Sequence, residues 1–289
     1  MPSFDSYGEW AALALRAVSA SLRAIRDIGS RGAEVVETRK GGYRAFDPEV
    51  IAVDRLAEGE ILRVLKESGH AGTVISEEAG VLELVGERGK ARAYFVIDPF
   101  DGSKLFRRQV RAFWYTCLGI YGPDGEALAA AVADVIDGCV EFCNQEAAFR
   151  GRLGENDVQD VQVLRVEGTR KLEDAYLETY LMSPDFLYPT CTRFEPLFRK
   201  VKMIIPNGGP GGFGDVAAGR VDAYLGITEA AIDVLPGLPI AQRAGCVVTD
   251  FWGQPLAFSP AIERQYALLC SCNMRLHEQL LAEIAALGF

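Results

Sequence analysis

The chain has 289 residues, of which 49% are hydrophobic and 24% charged, and its formal net charge is −10. This length can bury a large core in one domain or in two closely packed halves. The negative charge argues against a nucleic-acid backbone as partner. With two histidines in the whole chain, a histidine-based zinc site or a Ser-His-Asp triad is not expected.

The seven cysteines are odd in number and show no Cys-x-x-Cys spacing. We therefore expect reduced thiols in the core of a cytoplasmic protein. The sequence shows no signal-peptide pattern and no run of about 20 apolar residues, so we expect neither export nor membrane association.

The first half of the chain predicts two helices followed by a mostly antiparallel sheet. Apolar residues at helical spacing predict a helix over residues 7–28, which Gly29 ends. Asp47-Pro48 predicts the start of a second helix that reaches about Ser68. Residues 80–92 predict a loop or hairpin. The predicted strands are 73–76, 94–97, 113–121, 127–136, 138–143 and, as a further edge, 149–153.

The second half predicts alternating strands and helices, which is typical of an α/β arrangement. Residues 151–162 are polar and without periodicity, and they predict a boundary between halves 1–155 and 156–289. The predicted strands are 175–179, 203–205, 222–225, 246–251 and 266–271. The predicted helices are 190–201, 213–220, 233–243 and 274–287, and a glycine-rich loop over 206–212 precedes the second of them. The predicted fold class is therefore α+β.

Acidic residues lie at the ends or starts of several predicted elements: Asp54, Glu77, Asp98, Asp101 and Asp233. Each of them alone is explained by a turn, a helix cap or a solvated helix face. A cluster of carboxylates, however, is repulsive unless cations lie among its members. Asp98 and Asp101 also end a buried strand just before a helix start, where N–H groups bind phosphate. The sequence thus predicts a site for a hard cation and a phosphate group.

Four blocks resemble the inositol monophosphatase and fructose-1,6-bisphosphatase superfamily of metal-dependent, lithium-sensitive phosphatases. They are Ser76-Glu77-Glu78, Ile97-Asp98-Pro99-Phe100-Asp101-Gly102-Ser103, the segment Val216 to Tyr224, and the segment Asp233 to Gly253. Their order and spacing agree with the family over about residues 40–275. The resemblance implies a layered αβαβα sandwich and a homodimer as the usual form.

The resemblance also implies roles for single residues, with two or three Mg²⁺ ions as cofactor. The implied metal ligands are Glu77, Asp98, Asp101, Asp233 and the main-chain carbonyl of Phe100, with Glu78 as a weaker further contact. The implied catalytic groups, which orient a metal-activated water, are Asp54, Glu77 and Ser103. The implied substrate-binding residues are Gly102, Ser103, Lys104, Asn207, Gly208 and Gly209.

The departures from the family pattern concern the substrate. Members that hydrolyse inositol phosphates have an acidic residue seven positions before the last metal ligand, and this chain has Gly226 there. The tryptophan usual before that ligand is Ile232. The segment after Ser103 is basic, with Lys104, Arg107, Arg108 and Arg111. One hypothesis is that this basic cluster binds a second anionic group, and the alternative is a solvated or subunit-facing patch.

We therefore expect a magnesium-dependent phosphoric monoester hydrolase that acts on a small sugar, polyol or inositol phosphate. The alternatives are a sugar bisphosphatase, a 3′-phosphonucleotide phosphatase, and a catalytically weak scaffold that binds metal or phosphate. The expected partner is a small phosphorylated metabolite, with neither nucleic acid nor membrane.

Overall fold

A computed structural model describes residues 2–39, 48–166 and 171–289. The helices in these ranges are α1 Glu9–Ile28, α2 Ala52–Glu67, α3 Ser103–Arg107, α4 Pro184–Phe198, α5 Gly209–Ala217, α6 Ala231–Val234, α7 Leu238–Ala244 and α8 Met274–Ala286. None of these helices has the length and apolar composition needed to cross a bilayer.

The larger sheet has the strand order β10-β9-β8-β7-β6-β5-β3-β4. Its neighbouring strands are antiparallel except β3 and β5, which are parallel. Its strands are β3 Ala71–Ser76, β4 Gly80–Leu84, β5 Arg92–Asp101, β6 Tyr115–Tyr121, β7 Ala127–Asp134, β8 Cys139–Cys143, β9 Ala148–Leu153 and β10 Val158–Leu164. Before it, β1 Val35–Thr38 and β2 Glu49–Ile51 form a separate antiparallel pair.

The smaller sheet has the order β12-β11-β13-β15-β14. Its strands are β11 Tyr176–Glu178, β12 Met203–Ile205, β13 Ala223–Ala230, β14 Val247–Asp250 and β15 Gln265–Ser271. β11 is parallel to β12 and β13, and β15 is antiparallel to β13 and β14. The predicted α+β class is confirmed, with an antiparallel-rich first half and an α/β second half.

The layers follow from which faces are apolar. α1 and α2 cover one face of the larger sheet through a buried cluster that includes Leu15, Ile61 and Phe95. α5 and α7 lie between the two sheets, where Val96 and Leu225 belong to one continuous core. α8 covers the outer side of the smaller sheet together with α4. This is the αβαβα sandwich that the family resemblance implied.

The structure corrects the prediction for residues 149–162. They form the antiparallel hairpin of β9 and β10, so β9 is an inner strand rather than an edge. β10 buries Val158 and Leu164 at its two ends and exposes most of the residues between them, which explains why its sequence reads as polar. The larger sheet therefore continues to Leu164, and the division of the chain into two halves at residue 155 stays a prediction.

The starts of three predicted helices also differ. The helix predicted over 190–201 is α4, which begins at Pro184 after the N-cap Ser183 and ends at Phe198. α2 begins at Ala52, because Val50 and Ile51 are buried in β2, and Asp47 lies outside the described residues. α5 begins within the predicted glycine-rich loop. A Cβ at Gly211 would lie 2.6 Å from the Tyr115 ring. The absence of side chains thus lets this turn of helix pack directly on aromatic rings.

The predicted helix over 233–243 is two helices. α6 ends at Val234 and α7 begins at Leu238, with Pro236 and Gly237 in the connection. A proline removes one main-chain donor and a glycine weakens helix propensity, so the break is placed where the sequence least supports a helix. Asp233 consequently lies on a single short turn rather than at the start of a long helix.

Candidate active site

The acidic end of β5 contains a β-bulge. Asp98 is opposite Cys117 of β6 and Asp101 is opposite Tyr115, so β5 uses one residue more than β6 between these pairs. Pro99 lies inside the bulge, where a residue without an N–H is tolerated. A bulge turns side chains toward a new direction, which allows two acids three residues apart to face one site.

Cys117 is fully buried and lies opposite Asp98 on the neighbouring strand β6. Burial raises its pKa well above the ordinary value, and the nearby charges of Asp98, Asp101 and Asp233 raise it further. Three of the four predicted acidic metal ligands thus contribute to the electrostatic environment of one buried group, although Asp233 is far from the other two in sequence.

Gly102 joins β5 to α3 and accepts no side chain. Its φ is 99°, and a Cβ there would lie 2.3 Å from the main-chain oxygen of Phe113. This turn places Ser103 as the first residue of α3. The Ser103 hydroxyl then lies 2.6 Å from Asp54 Oδ1 and 3.0 Å from the main-chain oxygen of Phe100.

Asp54 is held by the helix that bears it. Its second carboxylate oxygen, Oδ2, accepts a hydrogen bond of 2.9 Å from the Ile51 N–H at the start of α2. The side chain is buried, with 3% of the residue exposed. The structure thus brings the two residues predicted to orient a water, Asp54 and Ser103, into direct contact through a fixed carboxylate.

Glu77 follows β3 in a turn that a buried acid stabilises. Glu58 Oε1 accepts hydrogen bonds from the Ser76 hydroxyl (2.5 Å) and from the Ala79 N–H (2.7 Å), on either side of Glu77. Glu58 lies one turn after Asp54 on α2, a spacing that taken alone is typical of a solvated acidic helix face. The structure instead shows that Glu58 is buried and fixes the turn. A local pattern could not predict this role, because both hydrogen-bond partners come from a distant segment.

Arg39 is a second residue that sequence reasoning missed here. Its guanidinium donates to the main-chain oxygens of Glu77 (3.2 Å) and Glu78 (3.1 Å), and it forms an ion pair with the Glu78 carboxylate. Burial and, next, the charge of Asp54 raise the pKa of Glu78 to about 7, against the opposing effect of Arg39. A metal ion at Glu78 would compete with this ion pair.

The glycine-rich segment meets the acids of β5 and α6. A Cβ at Gly209, whose φ is 62°, would lie 3.3 Å from Asp101 Oδ2 and 4.0 Å from Asp233 Cβ. The Gly209 N–H donates a hydrogen bond of 3.0 Å to the hydroxyl of the buried Tyr224. The missing side chain leaves room beside two of the predicted metal ligands.

Asn207 is anchored by a residue that sequence reasoning did not find. Its Nδ2 donates a hydrogen bond of 2.7 Å to Oε1 of Glu178, which ends β11 and is fully buried. Burial, followed by the charge of Asp215 and a hydrogen bond with it, raises the pKa of Glu178 well above the ordinary value. The available signal was an acid between Leu177 and Thr179 in an otherwise apolar strand.

Most of the predicted site residues line one pocket, which has a volume of about 350 Å³. The predicted residues that line it are Glu77, Phe100, Asp101, Gly102, Ser103, Lys104, Asn207, Gly208, Gly209 and Asp233. Asp54 and Asp98 are buried behind this lining, with 3% and 1% of each residue exposed. The basic cluster divides: Lys104 lines the pocket, Arg107 forms an ion pair with Glu49, and Arg108 and Arg111 are exposed.

The carboxylate oxygens in the pocket are of the donor type that suits magnesium, although their side chains do not converge on one point. Within the three described ranges, no group of three His, Cys, Asp or Glu side chains has an arrangement that could hold an ion. Glu77, Asp101 and Asp233 nevertheless line one pocket and offer carboxylate oxygens, which Mg²⁺ prefers. The space at Gly209 lies beside two of these acids. The individual metal-ligand assignments stay predictions.

The sequence profile described as "Inositol monophosphatase family" matches residues 7–288. The chain belongs to this family. Two proteins that are similar to this chain in sequence have different names. A "Fructose-1,6-bisphosphatase/inositol-1-monophosphatase" of Methanothermobacter thermautotrophicus is 23% identical over 232 residues, 79% of this chain and 81% of that protein. A "Nus factor SuhB" of Pseudomonas aeruginosa is 28% identical over 241 residues, 81% of this chain and 84% of that protein.

Among solved structures, the extragenic suppressor protein suhB of Bartonella henselae superposes with a TM-score of 0.75 at 21% identity. The match covers 96% of this chain and 98% of that one. At this identity the likeness shows the fold alone. Family membership and the name of the Methanothermobacter relative support a phosphatase of this superfamily. The name Nus factor SuhB raises an alternative role.

Proposed function

We propose that the chain is a magnesium-dependent phosphomonoesterase that hydrolyses a small phosphorylated polyol, sugar or related metabolite. The observation that supports this best is the contact between Ser103 and Asp54 at the edge of a pocket lined by Glu77, Asp101 and Asp233. A protein that only bound metal or phosphate would need the acids, but it would not need a hydroxyl held by a buried carboxylate.

The proposed mechanism assigns a task to each group. Glu77, Asp98, Asp101, Asp233 and the Phe100 carbonyl would hold Mg²⁺. When bound, Mg²⁺ offsets the charge of the phosphate and lowers the pKa of water. The Ser103 hydroxyl donates to Asp54 and can accept a hydrogen bond from the attacking water, so that it fixes the direction of attack. The N–H groups of Gly102 and Ser103 would donate hydrogen bonds to the phosphate oxygens, and water would displace the alcohol in line.

Three further expectations belong to this proposal. We expect two or three Mg²⁺ ions, a homodimer and a cytoplasmic location. The absence of a nucleic-acid partner also stays a prediction, and relatives that bear the name Nus factor SuhB give a reason to test it. The names of these relatives favour one second candidate function, an interaction scaffold that keeps the fold without efficient catalysis.

The experiment is phosphate release from a panel of sugar, inositol and nucleotide phosphates, with and without Mg²⁺. Asp98→Asn should abolish most of the release, and Asp27→Asn, at an exposed position on α1, is the matched control. Release from one substrate class that depends on both Mg²⁺ and Asp98 supports the phosphatase. If no substrate gives metal-dependent release, the phosphatase is wrong and the scaffold is favoured.

A further inference from the structure

The wall of the pocket away from the predicted metal ligands combines aromatic rings with carboxylates. Tyr180 and Phe186 line it with their rings edge to face at 5.1 Å between centroids, and Phe113 lines it as well. Glu229 and Glu263 line the same pocket. Neither the family pattern nor the sequence had singled out these five residues.

Neighbouring contacts place Glu229 beside the proposed reaction centre. A Cβ built at Gly226 would lie 2.6 Å from Glu229 Cγ and 3.3 Å from the Tyr224 hydroxyl oxygen. That hydroxyl accepts the hydrogen bond from the Gly209 N–H, and Gly209 borders Asp101 and Asp233. β13 and β15 also slip in register between Gly226 and Glu229. The slip and the missing side chain let Glu229 fold over position 226.

Tyr180 is joined to the same region from the other side. A Cβ at Gly208 would lie 3.2 Å from Tyr180 Cβ and 3.3 Å from the Tyr224 ring. The aromatic rings and Glu229 thus flank one glycine segment, Gly208 and Gly209, which itself borders the acids. A phosphate near Ser103 would therefore direct its alcohol part toward both kinds of side chain.

The charges of this lining do not suit a second phosphate. Among the described residues of the lining, Lys104 is the one cation, whereas Glu229 and Glu263 are acids outside the predicted metal ligands. Arg107 is engaged with Glu49, away from the lining. The hypothesis that the basic cluster binds a second anionic group thus has support from Lys104 alone. Carboxylates and aromatic faces together attract a cation, through charge and through the negative face of the rings.

We propose that the alcohol part of the substrate is positively charged, so that the pocket selects phosphate esters of amino alcohols, with Glu229, Glu263, Tyr180 and Phe186 as the groups that recognise the cation. This inference rests on the proposed phosphatase function and narrows its substrate class. It also opposes the sugar bisphosphatase alternative, whose substrate would bring a second anion to an acidic wall.

The test uses two probes of the same shape and different charge, choline phosphate and 3,3-dimethylbutyl phosphate. Hydrolysis is measured with Mg²⁺ as kcat/KM. Binding of both probes in Mg²⁺ is measured by calorimetry with the Ser103→Ala variant, whose slow turnover lets the heats report binding. We expect kcat/KM to be about tenfold higher and Kd about tenfold lower for choline phosphate, as a cation–carboxylate or cation–π contact of about 1.4 kcal/mol gives. Fructose 1,6-bisphosphate should be the poorest probe.

The variant Glu229→Gln/Glu263→Gln keeps the size of both side chains and removes their charge, so the ratio between the two probes should fall toward one, and any preference that remains is the contribution of the Tyr180 and Phe186 rings. Glu146→Gln, at an exposed turn position outside the lining, should leave the ratio as in the wild type. Equal hydrolysis of the two probes by the wild type and equal binding by Ser103→Ala would overturn the inference, as would a ratio that the double variant leaves intact. These results would leave the phosphatase in place.

The two hypotheses fail in different ways. If no probe gives Mg²⁺-dependent phosphate release, the phosphatase is wrong. The ratio of the two Kd values then tests the charge preference of the pocket independently, because a binding measurement needs no turnover.

Discussion

Replacing Glu178 tests whether a buried neutral acid holds the segment that contains Asn207. Glu178 is fully buried, accepts the Asn207 amide at 2.7 Å and has a pKa raised well above its ordinary value by burial and by Asp215. We therefore expect its carboxyl group to keep its proton to a higher pH than an exposed glutamate does. Glutamine has nearly the shape of that neutral acid, whereas alanine removes the acceptor.

The magnitude follows from the hydrogen bond and the volume. Glu178→Ala leaves the buried Asn207 amide without its acceptor, which costs about 1–3 kcal/mol, and the cavity adds to this. We expect a loss of about 2–4 kcal/mol in the free energy of unfolding. Because Asn207 lines the pocket, we also expect KM to rise about tenfold while kcat changes less. At pH 5, close to the unfolded pKa, Glu178→Gln should remain within about 1 kcal/mol of the wild type.

The dependence of the free energy of unfolding on pH separates two roles of Glu178. If the side chain only fills space, replacing it does not change this dependence. An acid whose pKa is raised by folding binds more protons in the folded state, so wild-type stability falls as the pH rises from the unfolded pKa toward the folded one. Glu178→Gln removes this dependence, so its stability relative to the wild type should improve as the pH rises above about 4.5.

The assays are urea unfolding between pH 5 and 8 and initial rates with the best substrate of the panel. Glu173→Ala, at an exposed acid upstream of the same strand, is the matched control. A glutamine variant as damaged as the alanine variant would refute the neutral-acid reasoning. An alanine variant that loses stability with an unchanged KM would refute the effect on the pocket.

Three further predictions concern the reaction, the turn and pH. Ser103→Ala should lower kcat about 100-fold, whereas Ser103→Thr, which keeps the hydroxyl toward Asp54, should retain most of it; an alanine variant of wild-type rate contradicts the role. Gly102→Ala should lower the free energy of unfolding by at least about 2 kcal/mol, because of its positive φ and the Phe113 oxygen at 2.3 Å. Gly89→Ala, with φ 91° and open space, should lose less in the same urea titration, and equal losses contradict the clash. Burial lowers the pKa of His277 to about 4, so the folded state binds fewer protons than the unfolded state between about pH 6.5 and 4. Stability should therefore fall by up to about 3 kcal/mol as the pH falls through this window, and His277→Gln should remove that part of the loss in urea unfolding at pH 7 and 4.5.

Local patterns predicted most elements because local forces determine them. Apolar periodicity and Gly29 define α1, and the alternating strands and helices of the second half follow from hydrophobic runs and turn residues. β10 and the early starts of α4 and α5 were missed. β10 is stabilised by pairing with β9 rather than by its own apolar content, and α5 begins where glycines pack on Tyr115. Such contacts join residues that are distant in sequence.

The same distinction holds for the site. The sequence by itself determined the donor types, the acids at element ends and the glycine-serine turn after β5, since each is a property of one short segment. Only the tertiary structure decided that Asp54 meets Ser103, that Glu58 and Arg39 hold the turn at Glu77, and that Glu178 anchors Asn207. It also decided that Glu229 and the aromatic rings line the same pocket as the acids. These pairings depend on how two sheets and their helices pack, and a linear pattern does not contain the distance between segments.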